Sequence, residues 1–137
     1  MTGAVDPYNL KRFQEAQAAA YARVCEELRN GEKTSHWMWF IFPQLRGLGR
    51  SAIAEEFAIA SREEAEAYFR HPVLGPRLVE CTRLVNAIEG RSVAQIFGYP
   101  DDLKFRSSMT LFAPYHPEFR AALDKYFAGE SDPLTRV

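Results

Sequence analysis

Cysteine is scarce in this chain. Only Cys25 and Cys81 occur, too few for the disulfide framework that holds many small secreted domains together. Both fall among apolar residues at helical spacing, which leads us to expect two reduced, buried thiols in a cytoplasmic protein. No apolar run approaches the roughly 18 residues of a membrane span. The opening Met1-Thr2-Gly3-Ala4-Val5-Asp6-Pro7 lacks the charged-then-apolar form of a secretion signal. Net charge is only -1, so no global field draws the protein onto nucleic acid or an anionic membrane. Histidine is also rare. His36, His71 and His116 have no His or Cys partner at ligand spacing, and we expect neither a metal nor a cofactor. There is no internal repeat of fixed period, which excludes a solenoid. No low-complexity linker divides the 137 residues, a length that suits one domain.

What the chain does have is apolar and aromatic material. Hydrophobic residues make up 47%, with ten Phe, six Tyr and two Trp, enough to close a core without disulfides. The pattern is helical. Asp6-Pro7 can start a helix whose apolar face (Leu10, Phe13, Gln17, Tyr21, Val24, Cys25, Leu28) runs to a stop at Gly31, predicting a helix over about 7–30. Trp37 to Phe42 is unbroken apolar. Thr34 or Ser35 before it and Pro43 after it frame a short buried helix at about 34–42. Ser51 can cap a helix carrying Ile53, Ala54, Phe57 and Ala58. Ser61-Arg62-Glu63-Glu64 and Ser92-Val93-Ala94-Gln95 have capping-box form. A long stripe spans about 72–89. Residues 101–113 are part helical and part alternating in pattern, and read as helix with Asp101 or Asp102 as cap. A last helix covers 117–128. The expected architecture is all-α, a single irregular multihelical domain spanning 1–137, with about seven helices, several of them short. Residues 1–5 and 130–137 read as frayed tails.

Two polar and aromatic blocks could carry chemistry. Lys33-Thr34-Ser35-His36-Trp37 brings a cation, hydroxyls and an imidazole to the start of the aromatic run, and Trp37 or Trp39 could stack on a ring. The competing structural reading puts both tryptophans in the core, each needing an acceptor for its indole N–H. The loop Gln44-Leu45-Arg46-Gly47-Leu48-Gly49-Arg50-Ser51 joins arginine forks to glycines and a helix start, which together suit an anion. It has neither the third glycine of a dinucleotide fingerprint nor a phosphate-loop lysine, and a plain structural turn is the alternative. In the second block, Lys104 and Ser107 would be neighbours on a helix, with Ser108 and Thr110 beyond. A lysine-activated serine is conceivable there, but nothing supplies an oxyanion hole, and helix-end hydrogen bonding is the alternative.

The run Lys33, His36-Trp37-Met38-Trp39-Phe40-Ile41-Phe42-Pro43-Gln44, Gly47-Leu48-Gly49 and Ser51 resembles the bacterial domain-of-unknown-function family 1810. The agreement continues through His71-Pro72-Val73-Leu74-Gly75, Arg77-Leu78, Phe97-Gly98, Lys104 and Ser107-Ser108-Met109-Thr110-Leu111-Phe112. The resemblance implies a small single-domain multihelical protein and no known activity. Some members carry a calpastatin-like label, but no inhibitor repeat is visible here.

These readings converge on a ligand-binding domain for a small anionic, ring-bearing metabolite such as a nucleotide. Its site would be built from Lys33, His36, Trp37, Gln44, Arg46, Lys104, Ser107 and Ser108. Whether it catalyses a reaction stays open. A non-catalytic protein-interaction module is the alternative, and the balanced charge argues against nucleic acid.

Overall fold

The structure is a computed structural model and describes residues 5–136. Among them lie nine α-helices: α1 (Lys11–Ala18), α2 (Tyr21–Arg29), α3 (Met38–Ile41), α4 (Ala52–Glu56), α5 (Arg62–Arg70), α6 (Leu74–Asn86), α7 (Val93–Phe97), α8 (Asp101–Phe112) and α9 (Pro117–Phe127), with a 3-10 turn at Ala113–Tyr115 before α9. The described residues contain no strand. One isolated parallel bridge ties Leu45 to Ile59, through hydrogen bonds from the Ile59 amide to the Gln44 carbonyl (2.8 Å) and from the Arg46 amide to the Ile59 carbonyl (2.7 Å).

The helix count exceeds the expected seven, chiefly because the helix predicted over 7–30 is two helices. Asp6 does cap, accepting the amides of Leu10 (2.8 Å) and Lys11 (3.0 Å), but across an intervening turn, so Pro7 does not occupy the first helical position. At the alanine run 18–20 the ladder tightens. The Ala20 amide bonds the Gln17 carbonyl three residues back, and Ala20 sits at φ -109°. The halves then serve different partners, α1 packing on α3 and α2 on α6. A stripe of apolar spacing cannot show this break, because alanine is compatible with either side of it.

Two smaller expectations also change. The short helix within the aromatic run before Pro43, α3, is capped by neither Thr34 nor Ser35; its first turn follows Trp37, with no side-chain cap. Ser51 caps α4 as expected, through the Ala54 amide (3.2 Å). Ile53, however, is exposed, and it is Phe57 and Ala58, just past the helix, that are buried. Ser92 and Gln95 make the full reciprocal box. Ser61 accepts from the Glu64 amide, while the Glu64 side chain turns to the Ala60 amide and to Arg12.

The core is built on two groups of touching rings. Phe42 touches Trp37, Phe97 and Phe105; Phe13 meets Tyr68, Tyr68 meets Phe112, and Phe112 meets Phe119. Helix α8 runs through the middle. Phe105, Ser107, Ser108, Met109, Leu111 and Phe112 are all buried, which spreads burial around the helix and explains the mixed pattern of its sequence. The segment after α9 is irregular, as expected, but it is not frayed over the described residues. Arg106 donates to the carbonyls of Glu130 (3.0 Å) and Ser131 (2.9 Å), the Asp132 amide donates to Thr110 Oγ1 (2.9 Å), and Thr135 is buried.

Gly75 shows the tightest backbone approach. A Cβ there would lie 1.9 Å from the Phe69 carbonyl oxygen, so α6 can begin against the end of α5 only without a side chain at this position. Gly75→Ala is expected to destabilise the fold by at least about 2 kcal/mol, measured as a lowered denaturant midpoint. An unchanged midpoint would mean that the α5–α6 junction can shift to admit a methyl group.

Candidate functional site

Glu27 on α2 sets the position of the aromatic block. One carboxylate oxygen accepts from the Thr34 amide (2.7 Å), the Ser35 amide (3.1 Å) and Trp37 Nε1 (2.9 Å), and the other from the Ser35 hydroxyl (2.5 Å). Burial opposes the charge, but the Ser35 hydroxyl, the Thr34 amide and the Trp37 indole outweigh it and hold the carboxyl down at about 2. Trp37 is thereby a core residue, 1% exposed, with its N–H satisfied. Its ring edge is not offered to a ligand.

The chain then turns so that two cations meet one carboxylate. Lys33 Nζ lies 2.9 Å from one oxygen of Asp101 and Lys104 Nζ 3.3 Å from the other. Each ammonium also rests on a tryptophan face, Lys33 at 5.2 Å from the Trp37 ring and Lys104 at 4.8 Å from that of Trp39. The Lys33 amide donates to the Ile96 carbonyl (2.7 Å), anchoring this corner to α7. Two positive charges share one negative charge, so the trio carries a net positive charge. Lys33 is sealed in, with 8% of its side chain exposed, while Lys104 remains at the edge.

Beyond Lys104 opens a cleft of about 480 Å³, within the size range of small-molecule sites. Gln44, Leu48 and Gly49 form one wall, Pro100, Leu103, Lys104 and Ser107 of the α8 end the floor, and Asp132, Pro133 and Leu134 of the tail the other wall. The walls are mainly apolar, with a few converging polar groups. Behind Lys104, against Trp39, Phe42 and Phe57, is a recess of about 10 Å³, room for no more than a water. The Ser107 hydroxyl lies 2.7 Å from Asp132 Oδ2, which also accepts from Thr135 (2.6 Å). Burial works against the Asp132 charge, yet the bonds from Thr135, Ser107 and the Leu134 amide, helped by Arg106, lower its pKa.

The expected site residues therefore divide. Lys33 and Lys104 come together on Asp101, and Gln44, Lys104 and Ser107 line one cleft. Trp37 stands behind Lys33 in the core. Ser108 is fully buried, its hydroxyl without a partner among the described residues, and lies outside the cleft. His36 is exposed at the surface. Arg46 faces a different depression, beside Ala60, Ser61, Arg62, Glu63 and Arg136. Within the loop 43–51, Gln44 and Gly49 line the cleft while Arg46 lines the other depression.

The sequence profile of a family described as "Protein of unknown function (DUF1810)" matches residues 7–137. The chain belongs to that family. It is similar to a conserved hypothetical protein, Rv1873 from Mycobacterium tuberculosis, whose crystal structure superposes with a TM-score of 0.93 at 58% identity over 95% of each chain. No curated protein matches.

Within this DUF1810 chain, the positions that sequence reasoning passed over have clear roles. Asp101 was legible only as a helix cap, yet no side chain caps α8, and its carboxylate instead binds both lysines. Its spacing three residues before Lys104 was the available signal. Glu27 gave no signal of this role, because a carboxylate on an amphipathic helix gives no sign of the donors seven to ten residues ahead that it will bind. Asp132, Pro133 and Leu134 lay in a segment expected to fray.

Since the folded-state pKa of Glu27 lies below its ordinary value near 4.5, its charge contributes stability that is complete above about pH 5 and is lost as pH falls toward 2, on the order of 2–3 kcal/mol. Glu27→Gln is expected to lower stability at pH 7 and to flatten the loss between pH 5 and 2, read from denaturant midpoints at a series of pH values. A variant with the wild-type acid slope would show that another group governs it.

Proposed function

We propose that this protein binds a small organic anion, one charged group on a ring or other apolar body, in the cleft beside Lys104. The single observation behind the reading is the Lys104 ammonium. It lies on the Trp39 face, shares the Asp101 carboxylate with Lys33, and borders an apolar-walled cleft. A cation whose counter-charge is shared attracts an anion more strongly than one with a private partner, and low-dielectric walls strengthen that attraction. The Gln44 amide could orient the bound group, and Leu48, Leu103 and Leu134 could cover its apolar part. Arg106 is committed to the tail carbonyls, so the cleft suits one anionic group better than a polyphosphate. Among ring-bearing anions this favours one with a single anionic group over a nucleoside triphosphate. We assign no reaction to the cleft.

Thermal-shift measurements with nucleoside monophosphates, sugar phosphates and aromatic monocarboxylates test the reading. A ligand at 100 times its dissociation constant is expected to add about 2.7 kcal/mol, a rise of several degrees in Tm, and Lys104→Met should abolish most of it. If none of the three classes shifts wild-type protein, or Lys104→Met keeps the full shift, the cleft is not an anion site.

A second reading, a protein-interaction surface, draws on Tyr99, Leu103 and Leu134, exposed apolar side chains of which the last two share the cleft rim. It predicts that a photocrosslinker at position 103 captures a protein in cells. Repeated capture of none counts against it.

A further inference from the structure

Helices α2 and α6 run side by side in the same direction, and their register can be read from both ends of the contact. Near the start of each, the Arg77 guanidinium lies 4.8 Å from the centre of the Tyr21 ring. Just past the end of each, a Cβ on Gly31 would sit 3.6 Å from Ile88 Cγ2. The two pairs keep nearly the same offset. One turn beyond Tyr21 on α2 is Cys25, and one turn beyond Arg77 on α6 is Cys81, so the register sets the two cysteines opposite each other on the helix seam. Both are free thiols and both are buried, Cys25 6% exposed and Cys81 fully enclosed. The two thiols and the Tyr21 hydroxyl are close enough to influence one another's ionisation. Neither cysteine takes part in the cleft beside Lys104.

We propose that Cys25 and Cys81 form a peroxide-reactive dithiol that closes to an intramolecular disulfide across the α2–α6 seam. The oxidant is a hydroperoxide, in the simplest case hydrogen peroxide, which is little larger than water. The Cys25 thiolate attacks one peroxide oxygen. The O–O bond breaks, Cys25 becomes a sulfenic acid, and the departing hydroxide takes a proton to leave as water. The Cys81 sulfur then gives up its proton and attacks the Cys25 sulfur. The S–S bond forms, the S–O bond breaks, and the second oxygen leaves as water with that proton. Two thiols and one peroxide thus give one disulfide and two waters.

The surroundings divide the roles of the two sulfurs. The neighbouring Cys81 thiol is the main influence lowering the Cys25 thiol; burial opposes it, and the Tyr21 hydroxyl and Arg29 reinforce it against Glu80, leaving the group at about 6. Cys81 is pushed well above the usual thiol value by the adjacent Cys25 and by its burial. Cys25 is therefore the thiolate and keeps a small exposed area, while Cys81 is the enclosed resolving thiol.

The full-length reduced protein is treated with hydrogen peroxide, unfolded, alkylated and mapped by mass spectrometry. The expected product is a peptide pair joined through Cys25 and Cys81, lighter by two hydrogens, with neither cysteine alkylated. Cys81→Ser should leave Cys25 as a sulfenic acid that dimedone traps, and Cys25→Ser should leave Cys81 unmodified. Alkylation of both thiols after a dose that oxidises free cysteine would overturn the proposal. So would a sulfinic acid on Cys25 without a linked pair, or a disulfide joining two chains. The mapping needs only wild-type protein, so a poorly folding variant does not remove the test.

Discussion

The structure depends first on one buried carboxylate. Glu27 gathers two backbone amides, a hydroxyl and an indole N–H within the stretch 34–37. Without it, those donors would be left without partners at the edge of the core, each a loss of roughly 1–3 kcal/mol. Its consequences run in series. The stretch turns at a fixed angle from α2 and seats Trp37 in the core. Trp37 backs the Lys33 ammonium, which reaches Asp101 on α8, and Asp101 holds Lys104 at the mouth of the cleft. A charge on α2 thus positions a cation on α8 without touching it.

A second set of polar contacts works from the opposite side. The chain past α9 has few apolar residues to bury, and the apolar Leu134 is largely exposed. It is held instead by the polar face of α8: Arg106 through two carbonyls, Ser107 through the Asp132 carboxylate, and Thr110 through the Asp132 amide. Side chains that by sequence look like a reactive cluster of cations and hydroxyls mostly perform this fastening. Lys104 is the member of the cluster that faces the cleft with its charge only partly matched.

How much of this was legible follows from the range of each interaction. Ser51, Ser61 and Ser92 announce helices because a cap acts within three residues. Pro117 marks the start of α9 for the same local reason. The stripe that ends at Leu28 reads correctly as a buried face, but not as two helices, since the break at Ala18–Ala20 is dictated by what α1 and α2 each pack against. Ser35 has the chemistry of a cap, yet it bonds back to Glu27, a longer-range competitor that no local pattern reveals. Lys33 and Lys104 could be proposed as one site from residue type alone. That Arg46 and His36 turn elsewhere could not, because it depends on how the loop after Pro43 and the turn before α3 pack against the rest of the chain.

Helix α2 illustrates why amphipathic reading is least informative where the chemistry is densest. Cys25 and Glu27 are two residues apart, so at about 100° per residue their side chains leave the axis in nearly opposite directions. Cys25 meets α6 and Glu27 meets the stretch before α3. Both are buried, along with Val24 and Leu28, and α2 is therefore enclosed on more than one side. Sequence periodicity assigns a single inward face and gives the remaining polar residues to solvent, which is correct for Arg29 and Glu26 but wrong for Glu27. A carboxylate can be enclosed at that position because four donors converge on it, and those donors come from a segment whose own conformation the carboxylate determines. Acceptor and donors specify each other, and the information is carried jointly by positions 27 and 34–37 rather than by either alone.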